Sequence, residues 1–177
     1  MEFISTDRGV YDSEFDVKLS KQGNKEAFGR LIEKHKSSMY RIAVSILNNK
    51  QDVEDALQSS VVKAYEGIMY LRRDEYFKTW LIRILINECK IILKKGKRVV
   101  SIEDVNCDLG IVEDYTKFEL TYAVNSLEKD LRIVTTLFYF EDLTLKEIAK
   151  LLDIPEGTVS SRLSRARNKL YEMLKER

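Results

Sequence analysis

Apolar residues recur every three or four positions along most of the chain, and no stretch keeps up a strict alternation of apolar and polar residues. This spacing predicts α-helices rather than β-strands. Seven glycines and a single proline leave few interruptions between the helices. Three predicted helices begin at Asn24, after Asn49 and near Phe77, and a further helical cluster fills 117–175. The chain is therefore predicted to be all-α.

Residues 144–167 predict two short helices that meet at a tight turn. Their apolar positions at helical spacing are Leu145, Ile148, Ala149, Leu152, Val159, Leu163 and Ala166. Pro155 lies in the first turn of the second helix, where its missing N–H would have no intrahelical partner. Residues 158–170 carry four basic side chains and no acid. This pattern is typical of a helix-turn-helix that enters the major groove, so nucleic acid is the leading candidate partner.

Charge is distributed in blocks, although the formal net charge is only +1. Residues 72–98 carry nine bases and three acids, residues 99–155 carry five and twelve, and residues 156–177 carry six and three. Two basic blocks separated by an acidic one suggest two contacts with a polyanion. The alternative is that these charges are the solvated faces of ordinary helices.

Several classes of protein are not supported by the composition. Two cysteines and one histidine are too few for a closed structural zinc site, and Cys89 and His35 are expected to pack in the core. We find no acid–base pair with a nucleophile, no phosphate-binding glycine loop and no metal cluster, so we expect neither an enzyme nor a cofactor. The start of the chain lacks a signal sequence, and charges interrupt the apolar stretch 80–93. A soluble, cytoplasmic protein is expected.

Four sequence blocks together resemble the bacterial sigma factors of the sigma-70-like family. Leu-Lys-Glu-Ile-Ala at 145–149, followed by Gly-Thr-Val-Ser-Ser-Arg-Leu-Ser-Arg-Ala-Arg at 157–167, is similar to the promoter-reading region of that family. Upstream, residues 25–28, 52–58 and 77–87 resemble its core-binding and promoter-melting region, in the expected order. The size resembles the extracytoplasmic-function (ECF) group.

The resemblance implies two small helical domains joined by a linker, the second ending in the helix-turn-helix. The first domain would span 1–98, an acidic linker 99–115, and the second domain 116–177. It also implies a dissociable subunit that brings core RNA polymerase to the −10 and −35 promoter elements and helps to open the duplex. Relatives of this group usually have a membrane-linked inhibitor, an anti-sigma factor, so such a partner is a further expectation.

Polymerase binding is expected on the helix that carries Asp52, Asp55 and Gln58. These residues are three apart and therefore share one helix face. By resemblance, that face docks on the clamp helices of the largest core subunit. The alternative is that the acids only favour the positive end of a helix, which accounts well for Asp52 and poorly for Gln58.

Binding of the melted strand is expected in the first basic block, because unstacked bases need aromatic or apolar pockets beside cations that contact phosphates. The candidate residues are Tyr70, Leu71, Arg72, Arg73, Tyr76, Arg83 and Asn87. The amide of Asn87 stands in an otherwise apolar turn and is suited to a base edge. Trp80 shares its stripe with Phe77 and Ile84, which favours a core role. The basic run 94–98 is expected to contact phosphates without sequence preference.

Duplex binding is expected on the first turns of the last helix, the part of a recognition helix that enters the groove. The candidate residues are Thr158, Ser160, Ser161, Arg162, Ser164, Arg165 and Asn168. Arg165 is the best candidate for a bidentate contact with guanine. Arg162 is expected to contact phosphate or to pair with an acid of the neighbouring helix. The short serines suit phosphate contacts and DNA-shape readout, or are simply tolerated polar surface.

A stand-alone helix-turn-helix regulator is the alternative to a sigma factor. It would bind promoter DNA without polymerase and would account for residues 144–170. It would not account for the Asp52–Gln58 block or for the basic helix 77–98. A gel shift distinguishes the two classes, because a regulator should bind duplex DNA alone and a sigma factor tightly only with core enzyme.

Overall fold

The computed structural model describes residues 13–96 and 122–175, and every regular element in these ranges is helical. The first half holds α1 (Ser13–Lys21), α2 (Lys25–Ile46), α3 (Lys50–Gly67) and α4 (Phe77–Gly96). Two single 3₁₀ turns, at Ile68–Tyr70 and Asp74–Tyr76, connect α3 to α4. The predicted all-α class is confirmed. Helix α1 was not predicted from the sequence, and the predicted linker 99–115 lies outside the described residues.

The second half begins with a helical turn at 122–125 and continues with three helices. These are α5 (Lys129–Thr135), which runs on as a π-helical segment at Thr136–Phe140, then α6 (Leu145–Leu152) and α7 (Glu156–Lys175). The last two form the predicted helix-turn-helix.

Asparagine side chains cap α2 and α3, as predicted for the first of them. Asn24 accepts a hydrogen bond from the Ala27 N–H at 2.8 Å, and Asn49 accepts from the N–H groups of Gln51 and Asp52. Such caps satisfy amide groups that have no partner within the helix, and each stabilises a helix start by about 1 kcal/mol. They fix where α2 and α3 begin, and therefore which residues face the core.

A single hydrophobic cluster extends through both halves of the described chain. Leu31 and Ile42 of α2 and Leu85 of α4 are buried in it, together with Leu137 and Ile148 of the second half. A smaller cluster holds Leu127, Leu131 and Ala166 beneath α7.

Polar contacts also join the two halves. Arg132 of α5 donates from Nε to the Ser45 carbonyl at 3.1 Å and from Nη2 to Asn48 Oδ1 at 3.1 Å. The end of α2 is therefore tied to the start of the second half, and the two halves pack as one body.

Candidate nucleic-acid interface

The turn between α6 and α7 is built by local hydrogen bonds. Thr144 and Glu147 form a capping box at the start of α6, with the Thr144 N–H donating to Glu147 Oε2 at 2.9 Å. The hydrogen bond from the Thr144 hydroxyl lowers the pKa of the Glu147 carboxyl. Asp153 ends α6 in the left-handed region, at φ 60°. The Pro155 carbonyl then accepts from the Thr158 and Val159 N–H groups, so Pro155 lies just before α7 rather than in its first turn.

Helix α7 turns one apolar stripe inward and one polar face to solvent. Val159, Leu163 and Ala166 are buried, as their spacing predicted. The polar residues on the outer side are what we call the duplex face. Its members are Thr158, Ser160, Ser161, Ser164, Arg165 and Asn168, of which Thr158 is half-buried and the others exposed. The exposed face begins in the first turns of α7, which suits insertion into a major groove.

Arg162 does not lie on this face. Its Nη2 donates to Asp130 Oδ2 of α5 at 2.5 Å, and its side chain is largely covered. Of the two expectations for Arg162, the structure shows pairing with an acid of the neighbouring helix, and we remove it from the duplex-binding set. The sequence predicts pairing with a neighbouring acid as one of two roles for Arg162, but periodicity cannot identify that acid as Asp130.

Most of the candidates for strand binding are exposed, in the connection between α3 and α4 or on α4 itself. Arg83 and Asn87 are exposed one helical turn apart on α4, and Tyr70 is 77% exposed in the preceding connection. The Arg73 guanidinium stacks over the Tyr76 ring, 4.9 Å from its centroid. We call this set the strand face. It consists of Tyr70, Arg72, Arg73, Tyr76, Arg83 and Asn87.

Leu71 is a correction to this set. Its side chain is only 9% exposed and belongs to the core cluster. The Leu71 N–H bonds to the Ile68 carbonyl at 3.1 Å, which closes the 3₁₀ turn and directs the side chain inward. Leu71 therefore supports the connection between α3 and α4 and cannot contact a base in this conformation.

Trp80 lies partly buried beside the core, next to the strand face. Its ring contacts the Phe77 ring at 5.9 Å between centroids. A side chain at Gly67 would bring a Cβ to within 3.2 Å of the indole, so the end of α3 packs closely against Trp80. The core role expected for Trp80 is consistent with these contacts.

Asp52, Asp55 and Gln58 lie together on α3, and we call them the docking face. Asp55 and Gln58 are exposed and Asp52 is half-buried. They line one side of an open groove of about 500 Å³. The opposite side comes from the last turns of α4, whose contribution the sequence analysis missed. Its lining residues are Glu88, Ile91, Ile92, Lys95 and Gly96.

Cys89 and His35, both expected to pack in the core, make packing contacts in the structure. Cys89 is buried, and burial raises the pKa of its thiol to about 12. His35 is half-buried against the Phe77 ring, and burial lowers the pKa of its imidazole, with the neighbouring Lys34 and Lys78 acting in the same direction. Residues 13–96 and 122–175 hold no cluster of potential metal ligands. No helix among them could cross a membrane.

Both halves of the chain match known protein families. The model of the family described as Sigma-70 region 2 matches residues 31–99, and that described as Sigma-70, region 4 matches residues 117–170. The RNA polymerase sigma-H factor of Pseudomonas aeruginosa is 30% identical over 89% of this chain and 91% of its own length. The ECF RNA polymerase sigma-E factor of Haemophilus influenzae is 31% identical over 85% of this chain and 89% of its own length.

Solved structures agree with these matches. RpoE of Bartonella quintana, solved in complex with the anti-sigma factor NepR, is 28% identical with a TM-score of 0.67 over 84% of this chain and 96% of its own. CnrH, solved in complex with the cytosolic domain of CnrY, shares the fold, with a TM-score of 0.65 over 93% of this chain and 97% of its own at 22% identity. The fold and the exposed helix-turn-helix define a DNA-binding transcription protein. More specifically, the chain belongs to the ECF group of bacterial RNA polymerase sigma factors.

Proposed function

We propose that three surfaces of this sigma factor each bind a different partner. The docking face on α3 binds core RNA polymerase, the strand face binds the melted −10 region, and the duplex face of α7 reads the −35 element. The family fixes the activity as promoter recognition and transcription initiation. The residues that perform each step are our assignment.

The observation that supports this assignment is the exposure of candidate side chains on α3, on α4 with the connection before it, and on α7. The docking face lies on the groove side of α3, Arg83 and Asn87 project from α4, and Arg165 projects from α7. Each surface is solvent-exposed and offers groups suited to its partner. Acids and an amide suit a protein interface, aromatic rings beside arginines suit single-stranded bases, and an arginine on a recognition helix suits guanine.

Runoff transcription with purified core enzyme tests the proposal. On a panel of genomic promoters, the reconstituted holoenzyme should start transcripts that core enzyme alone does not. A gel shift with the free chain should show weak duplex binding. Tight binding of the free chain to one promoter, together with no new transcripts, would favour the stand-alone regulator instead.

We also propose that the protein acts in the cytoplasm, as a binding component without catalysis of its own, and that an anti-sigma factor restrains it. Two structural relatives were solved in complexes, RpoE with the anti-sigma factor NepR and CnrH with CnrY. Transcription by the holoenzyme should fall when such an inhibitor is added before core enzyme. It should fall much less when the inhibitor is added after the holoenzyme has formed.

A further inference from the structure

Glu128 is an exposed carboxylate at the start of α5 that reaches across to the recognition helix α7. It occupies the N-cap position of α5, where a side chain usually accepts hydrogen bonds from the first amide groups of its own helix. Within the described second half, the Glu128 carboxylate instead accepts from Lys169, with Nζ donating to Oε1 at 2.6 Å, and does not cap α5. The side chain therefore serves a contact with α7 rather than the start of α5.

The cations of α7 that face the start of α5 lie along one side of the duplex face. Arg162, Arg165 and Lys169 are spaced by three and four residues, so they share one side of α7. Arg162 is paired with Asp130, and its side chain is largely covered. Arg165 and Lys169 remain exposed. Because Arg165 also belongs to the duplex face, it lies at the edge where that face meets the acids at the start of α5.

Both exposed cations act electrostatically on Glu128. The hydrogen bond from Lys169 lowers the pKa of the Glu128 carboxyl, and the charges of Lys169 and Arg165 act in the same direction. In return, the carboxylate lowers the positive potential that these two side chains present to DNA. The Glu128 side chain is 73% exposed and that of Lys169 is 45% exposed. Because an exposed ion pair contributes little to stability, this contact is better suited to modulating DNA binding than to holding the fold together.

We propose that Glu128 is a specificity-determining residue for duplex DNA, because it competes with phosphates for Lys169 and Arg165 and so weakens sequence-independent binding. The inference rests on the proposed function of the duplex face. A phosphate offers the two cations the same kind of charged oxygen that Glu128 offers. A guanine offers Arg165 two acceptors in fixed positions, which a bidentate arginine contact uses. DNA with the matching base therefore overcomes the competition from Glu128, and other DNA gains little.

Binding of reconstituted holoenzyme to two promoter fragments tests the role of Glu128. The first fragment is a promoter from the runoff panel, and the second is the same fragment with its −35 element scrambled. The dissociation constant of each fragment is measured across a range of salt concentrations. The ratio of the two constants gives the discrimination between the fragments, and the dependence of each constant on salt reports the number of phosphate contacts.

Glu128→Gln should bind the scrambled fragment about three- to tenfold more tightly and steepen its salt slope by about one or more, the expected effect of new phosphate contacts. The matching fragment should gain less affinity, because guanine already engages Arg165 there. Discrimination between the two fragments should therefore fall severalfold.

Two further variants show whether the freed cation is responsible. Lys169→Ala alone should leave the salt slopes unchanged, because Glu128 already keeps Lys169 from the phosphates. The same change in the Glu128→Gln chain should reduce the steepened slope by about one, so the two substitutions are not additive. The matched control is Asp142→Asn, which removes an exposed acid of the second half outside α5 and α7. It should change neither the affinity nor the discrimination.

Two results would overturn the inference while leaving the proposed function intact. The first is a folded Glu128→Gln chain with unchanged discrimination, since the contact with Lys169 would then serve only the packing of α7. The second is a gain in affinity that Lys169→Ala does not reduce or that Asp142→Asn reproduces, since the effect would then be one of general charge. Circular dichroism checks folding. Glu128→Ser, which removes the charge and offers α5 a capping hydroxyl, replaces Glu128→Gln if that chain does not fold.

Failure of the proposed function has a different signature. The unmodified holoenzyme would then start no transcripts, or Arg165→Ala would keep the full discrimination between the matching and the scrambled fragment. Neither result depends on Glu128.

Discussion

Arg165 is an exposed arginine on the outer side of α7, with Ser161 one turn before it. Arg162 pairs with Asp130 of α5. Arg165 instead faces Glu128 just before α5: the hydrogen bond from Lys169 lowers the pKa of the Glu128 carboxyl, and the charge of Arg165 acts in the same direction. A bidentate arginine–guanine contact discriminates against a wrong base by about 1–3 kcal/mol. Arg165→Ala should therefore lower transcription from promoters that depend on the −35 element by about tenfold or more, measured by runoff assay. Binding to core enzyme in a pull-down should be unchanged, and a loss of that binding would contradict the assignment.

His35 should make the free energy of unfolding depend on pH in mild acid. Because burial lowers the pKa of its imidazole, the unfolded chain takes up a proton at a higher pH than the folded chain does. The free energy of unfolding should therefore fall as the pH drops below about 6.5, the ordinary histidine value. His35 is the single histidine of the sequence, so His35→Gln should remove this component.

Urea unfolding at pH 7.5 and pH 5.5 measures the effect of His35. The unmodified chain should lose more stability between the two pH values than His35→Gln does. Equal losses in the two chains would mean that the imidazole titrates alike in the folded and unfolded states.

Side-chain roles could be predicted where local spacing decides them, and not where a distant neighbour does. The buried stripe of α7 and the cap at Asn24 follow from residues within one or two helical turns. Leu71 was assigned to a binding surface, but a 3₁₀ turn directs it inward. Arg162 pairs with Asp130 of α5, which is one of the two roles expected for it. The error at Leu71 arose because periodicity does not encode the 3₁₀ turn that closes on Ile68.

At the scale of elements, α3 presents the docking face along one side, and the end of α4 completes the groove. Gln58→Ala or Asp55→Ala should reduce affinity for core enzyme several-fold, because each removes a polar group from an exposed protein interface. Glu54→Ala is the matched control, since Glu54 is an exposed acid of the same helix that does not line the groove.

Affinity for core enzyme is measured by titration with a labelled sigma factor. DNA contacts made by α7 should be unaffected by the α3 variants. If Glu54→Ala weakens binding as much as Asp55→Ala does, the effect is one of general charge rather than of a defined docking face.

Helix α1 and the π-helical segment are two elements that the hydrophobic pattern of the sequence did not predict. Val17 of α1 is fully buried, yet the short amphipathic pattern around it does not stand out from the preceding polar residues. The apolar run Leu137–Phe140 contains more hydrophobic surface than one helix face can bury. In the structure Leu137 is buried, Phe138 and Phe140 are partly covered and Tyr139 is exposed, because the run is π-helical and packs against α2.

At the scale of the whole molecule, hydrophobic periodicity shows which face of each helix is buried but not which helix covers it. Two separate small domains, 1–98 and 116–177, were expected from the sequence. The structure joins the described parts of both through one hydrophobic cluster and through Arg132 and Glu141. The acidic character of the second half has a structural use here, because Glu141 meets cations of the first half.

This shared core predicts that the two halves unfold together. Leu137 is fully buried in the cluster and belongs to the second half, whereas Trp80, the single tryptophan of the sequence, reports on the first half. Replacing a buried leucine with alanine costs about 2–5 kcal/mol. Leu137→Ala should therefore lower the urea midpoint of Trp80 fluorescence by as much as it lowers the midpoint of the helical circular dichroism signal.

Lys150→Ala, an exposed change on α6, is the control and should leave both midpoints in place. The unmodified chain must first show the same urea midpoint by Trp80 fluorescence and by circular dichroism, because coincident transitions indicate a single cooperative unit. If Leu137→Ala shifts the dichroism transition while Trp80 fluorescence keeps its midpoint, the halves fold independently. The interface between the two halves would then contribute little to the stability of the protein.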